Sequence, residues 1–69
     1  MSWLEISPTN RELAETVLTT KQLEVLRLVI DGHSFRAIGR HLRVTEATVR
    51  GHYERALDKM GEAMKENAA

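Results

Sequence analysis

The sequence predicts an all-α fold, a small bundle of four or five short helices. Three observations carry that prediction. Apolar residues recur at helical spacing, most clearly Leu23, Leu26, Val29 and Ile30. A serine or threonine able to cap a helix stands before each apolar segment, at Ser7, Thr19, Ser34 and Thr45. No stretch alternates with period two, as a half-buried strand would.

Taken in order, Ser7 followed by Pro8 suits a helix start, because proline lacks the N–H that the first turn leaves unbonded. A helix from 8 to about 17 follows, with Leu13, Ala14 and Val17 as its thin apolar side. Thr19 stands three before Gln22, the spacing of a capping box, and opens a helix from 20 to 31 that Gly32 ends in left-handed conformation. Ser34 caps a helix from 35 to 42, with Phe35, Ile38 and Leu42 inward and Ala37 small enough for close helix approach. Arg43-Val44-Thr45 is then a turn, Val44 its apolar plug and Thr45 the cap of a helix from 46 to 60. This last pair makes a helix-turn-helix. Three segments result: an N-terminal arm and short helix (1–17), the helix-turn-helix unit (18–60), and a helical extension or frayed tail (61–69).

Composition narrows the function. Sixty-nine residues make one domain at most, and a chain of this length buries only about 60% of its unfolded surface. With no cysteine there is neither a disulfide framework nor a thiolate metal site. His33, His41 and His52 are too scattered to hold a metal, and no nucleophile and base, glycine-rich phosphate loop or paired carboxylates suggest an enzyme or a cofactor. The longest apolar run, Leu28-Val29-Ile30, is far short of the ~20 residues a membrane span needs. Formal charge is zero, yet residues 33–59 set Arg36, Arg40, Arg43, Arg50, Arg55 and Lys59 against Glu46, Glu54 and Asp58. That positive surplus of three sits in the part of the chain where a phosphate backbone would reward it.

Along the 46–60 helix, at 100° per residue, Val49, Tyr53, Ala56 and Met60 fall within about 60° and define an inward stripe. Ala47, Gly51, Glu54 and Asp58 lie opposite, flanked by Glu46 and Arg50. A helix entering a major groove projects such a face from its N-terminal half while the preceding helix packs across it.

Residues 18–60, "LTTKQLEVLRLVIDGHSFRAIGRHLRVTEATVRGHYERALDKM", resemble two families that share a helix-turn-helix core. These are the DNA-binding domain of LuxR-type regulators and region 4 of bacterial sigma factors. The resemblance rests on Leu18-Thr19, Glu24-Val25-Leu26, Gly32, the Ile38 and Leu42 pair, and Thr48-Val49-Arg50. His52 is similar to the LuxR version, and Arg55-Ala56-Leu57 with Lys59 to the sigma version. It implies a transcription regulator on double-stranded DNA, with backbone contacts from Thr20, Lys21, Ser34, Arg36 and Thr45, and groove contacts from Glu46, Ala47, Arg50, Gly51 and Glu54. Arg43 beside the turn, Thr48 and His52 join the expected backbone contacts. Sigma factors usually carry a cation, an acid and a glutamine where this chain has Glu46, Ala47 and Gly51.

Each assignment has a plainer counterpart. Arg50 can take guanine O6 and N7 bidentately, or pair with Glu46 and Glu54 one turn away on either side. Glu46 and Glu54 can accept from cytosine N4 or simply face water. Gly51 lets the helix backbone approach DNA, or is a tolerated defect costing about 1 kcal/mol. Trp3, with Leu4 and Ile6, covers the core or anchors a protein partner. RNA polymerase or another regulator is the alternative partner that such an anchor and the acidic outer face would suit. Met60, Ala63 and Met64 are spaced for a small apolar seam supporting a weak homodimer, against a solvated tail. Met1-Ser2 and the short tail read as a complete small protein, at work in the cytoplasm of a bacterium or of a phage-infected cell.

Overall fold

Every helix begins where a short polar side chain takes up N–H groups that the first turn leaves free. In the computed structural model, which describes residues 1–68 and side-chain surroundings through Glu66, Ser7 caps α1 (Pro8–Val17) by accepting from the Asn10 N–H at 3.2 Å. Thr19 and Gln22 exchange hydrogen bonds of 3.2 Å each at the start of α2 (Thr20–Ile30), the reciprocal capping box. Ser34 Oγ accepts the Ala37 N–H at 3.1 Å to open α3 (Phe35–Leu42). Thr45 Oγ1 accepts the Thr48 N–H at 3.1 Å to open α4 (Glu46–Ala68). A single 3-10 turn, Trp3–Glu5, precedes them, and no strand occurs among the described residues. Ala69, the end of the segment read as extension or tail, lies outside the described residues.

Helix α2 is one residue shorter than expected. Asp31 is its C-cap and Gly32 follows at φ +101°, where a Cβ would be strained. The Asp31 carboxylate is then free to accept the Trp3 backbone N–H at 2.7 Å. Arg27 lies over the Trp3 indole at 5.6 Å. The arm is thereby folded back, and Trp3 is buried at 6% exposure. Trp3 covers the core and is not a free anchor, whereas Leu4 faces water.

Two apolar clusters share α4 as their common wall. Trp3, Ala14, Leu18, Leu26, Ala56 and Met60 form one; Val25, Ile38 and Val49, all but fully buried, form the other. Tyr53 packs against both. Each fully buried side chain of the second cluster contributes about 1.5–3 kcal/mol, which is how a chain this small holds three helices at fixed angles.

One expectation is corrected and two open alternatives are narrowed. Val44 does not plug the turn; it is 38% exposed. The space is taken by backbone instead: the Val44 N–H donates to the Gly39 carbonyl at 2.9 Å, and the Val44 carbonyl oxygen sits 2.8 Å from where a Gly39 Cβ would lie. Arg43 completes the tight turn at φ +60°, an unusual conformation for a non-glycine residue. Second, of the extension and the frayed tail left open after residue 60, the described residues form the extension: α4 runs through Gly61 to Ala68. Burial of Met60 and Ala63 on either side of Gly61 outweighs the glycine penalty of about 1 kcal/mol. Third, that burial uses up the proposed seam, since Met60 and Ala63 face the chain's own core and only Met64 faces water. A helix of 23 residues spans about 34 Å, which accounts for the 38 Å long axis of the molecule.

Candidate nucleic-acid interface

The start of α4 is fixed before any side chain reaches outward. Thr45 caps it twice over, because its Oγ1 also shares a 2.9 Å hydrogen bond with Thr48 Oγ1 and its carbonyl accepts the Val49 N–H at 3.1 Å. Val49, at 0% exposure, then pins the first turns to α2 and α3. With Val49 inward, helical spacing turns Glu46, Ala47, Arg50 and Glu54 outward, and all four are exposed. Gly51 is half-buried on the same stretch. A Cβ built there meets only the Arg55 guanidinium, at 3.7 Å, so nothing inside the chain requires a glycine.

Helix α3 lies across this start. Ser34 spends its hydroxyl on the α3 cap while remaining exposed, Arg36 is exposed in the first turn of the helix, and Arg43 projects from the turn. Between them Phe35 stacks edgewise on Tyr53, with centroids 5.5 Å apart at 58°. The Arg50 guanidinium rests over the Phe35 ring, 5.6 Å from its centre. Arg50 is thus brought to the start of α3, where Ser34 and Arg36 flank Phe35 in the chain.

Thr20 and Lys21 are exposed elsewhere. Their neighbour Gln22 is bonded by Lys59 of α4 at 2.9 Å, which sets the α2 start beside the C-terminal half of α4, about 14 Å along the helix from Arg50. His52 is half-buried.

Arg50 pairs with neither Glu46 nor Glu54. Among the described residues the one ion pair is Lys21 with Glu24 at 3.6 Å, on an exposed helix face where it contributes little. Arg36, Arg43 and Arg50 therefore present unneutralised cations, while Glu46 sits in the first turn of α4, where the helix dipole favours a carboxylate. Such a surface offers hydroxyl donors, guanidinium donors and a protruding helix, which suits a polyanion with readable edges.

The model of the family described as bacterial regulatory proteins, luxR family, matches residues 16–69. This chain belongs to that family. The transcriptional regulatory protein DegU of Brevibacillus brevis is 46% identical to it over 44 residues, which are 64% of this chain and 19% of that protein. The chain thus spans about a fifth of the length of this curated relative. No solved structure matches it. Of the two resemblances read from the sequence, the luxR one is the family, and the luxR-type helix-turn-helix, a unit of DNA-binding transcription regulation, is here α3 and α4. The family is one of regulators, not of enzymes. Among the described residues no helix is long and apolar enough to cross a membrane.

Several contacts around this candidate interface are not legible in the sequence. Gly39 carries no local signal of its role, since its close approach to Val44 depends on how the turn closes. Phe35 was expected inward, and its hold on Arg50 needs the α3–α4 crossing to be known. Lys59 and Gln22 are 37 residues apart, and no local pattern couples them.

Proposed function

We propose that this domain binds DNA sequence-specifically, inserting the N-terminal half of α4 into the major groove as part of a transcription regulator in the bacterial cytoplasm. The carrying observation is that the first turns of α4 bury Val49 alone and leave Glu46, Ala47, Arg50 and Glu54 outward beside a braced α3. Arg50 is the base reader in this proposal, with Glu46, Ala47, Gly51 and Glu54 along the groove wall. Thr20, Lys21, Ser34, Arg36, Arg43, Thr45, Thr48 and His52 take the backbone, those of α2 reaching a phosphate apart from the rest.

Fluorescence anisotropy of labelled duplexes tests the reading. A pool enriched by selection on the purified chain should bind more tightly than random duplex, and both should weaken steeply between about 50 and 200 mM salt as counterions are released. Absence of any shift with genomic or random duplex at low salt overturns it.

A second observation favours self-association on DNA. Leu57 and Met64, two turns apart on α4, are 46% and 42% exposed, with nothing within 4 Å of the Cβ position of Gly61 between them. A second copy would bury this stripe in place of the seam that the core consumes. Sedimentation of the chain on a selected duplex should give two protomers per site, and Leu57→Glu should give one.

A further inference from the structure

We propose that Phe35 is a specificity-determining positioning residue, which holds the Arg50 guanidinium in the orientation from which it reads a base pair. This rests on Arg50 being a base reader.

An arginine on an exposed helix face has many rotamers and loses them on reaching a base edge. Arg50 has two carboxylates within reach along its own helix, Glu46 and Glu54, and pairs with neither. Its guanidinium lies 5.6 Å from the Phe35 ring centre instead. The ring is itself held. Phe35 is half-buried at the first position of α3, beside the Ser34 cap, and packs against Tyr53 at 5.5 Å. Tyr53 touches both apolar clusters, so the chain from core to Tyr53 to Phe35 to Arg50 is continuous packing. A cation over an aromatic face stays attached while its N–H edge remains free for hydrogen bonds. The same contact removes Arg50 from Glu46 and Glu54, which would otherwise engage those N–H groups. Phe35 thus acts on sequence preference without touching a base.

Binding-site selection with the full chain gives a preferred duplex, and anisotropy against every single-base-pair variant of it gives a discrimination profile. Arg50→Ala should flatten one or two positions of that profile. Phe35→Leu, which keeps an apolar side chain but no ring, should lower discrimination at those same positions about two- to fivefold, the range of an exposed cation–π contact. Phe35→Tyr and Phe35→Trp should restore it. In an Arg50→Ala background Phe35→Leu should change the profile no further. Should Arg50→Ala flatten the profile while Phe35→Leu leaves those positions intact, or Phe35→Leu lower all positions alike without rescue by Tyr or Trp, the inference fails and the base-reading role stands. A profile indifferent to Arg50→Ala overturns both. If Phe35→Leu does not fold, the Tyr and Trp variants decide: discrimination at the Arg50 positions kept or sharpened by Trp supports the inference, and loss in both refutes it.

Discussion

The Lys59 ammonium donates to the Gln22 side-chain oxygen at 2.9 Å, and that oxygen also accepts the Thr19 backbone N–H. One buried amide therefore caps α2 and fastens it to α4. Lys59→Met should remove the charged donor but leave the capping box, costing about 1–2 kcal/mol. Thermal unfolding followed by circular dichroism should show a Tm lower by about 4–8 °C per kcal/mol in a domain of this size. Gln22→Ala should cost more, since it loses both partners.

Gly51 and Gly61 separate fold from function. Neither meets a close contact in the chain, so alanine at either should stabilise α4 by about 0.5–1 kcal/mol. Only Gly51 lies on the turns proposed to face the groove, and Gly51→Ala should weaken binding of a single protomer to duplex by about 1–3 kcal/mol, the usual cost of overpacking, while Gly61→Ala leaves that single-protomer affinity as it was. Equal affinities for both variants would mean that the α4 backbone does not approach DNA at residue 51.

The turn predicts the opposite sign for a third glycine. Gly39→Ala places a methyl group 2.8 Å from the Val44 carbonyl oxygen, a backbone atom that cannot rotate away. A loss of about 1–3 kcal/mol is expected in chemical denaturation.

Arg36 and Arg50 should differ in kind. Arg36→Ala is expected to weaken all duplexes alike and to reduce the slope of log affinity against log salt by about 0.9, one phosphate contact. Arg50→Ala should remove about 1–3 kcal/mol of discrimination at the base pair it is proposed to read. Salt titrations on matched and mismatched duplexes measure both.

Much of this was legible in the chain itself. The caps Ser7, Thr19, Ser34 and Thr45 act on residues three positions away, so they announce the helix starts without knowledge of the fold. The stripe of Val49, Ala56 and Met60 announces the inward side of α4 for the same reason, and with it the outward side that carries Arg50. The length of α4 stayed open between extension and fraying, because Gly61 weakens the helix locally and the counterweight, burial of Met60 and Ala63, comes from other helices.

The sequence by itself thus determined the class of fold, the helix starts and the face that α4 turns outward, all consequences of short-range hydrogen bonding and helical period. Only the tertiary structure decided what meets across helices. It set Gly39 against the backbone of Val44, Lys59 on Gln22, Trp3 on Arg27 and Asp31, and Phe35 under Arg50. These contacts depend on the crossing of α2, α3 and α4, which the packing of Val25, Ile38 and Val49 fixes. Periodicity names the residues on an apolar face, but shape complementarity selects their partners.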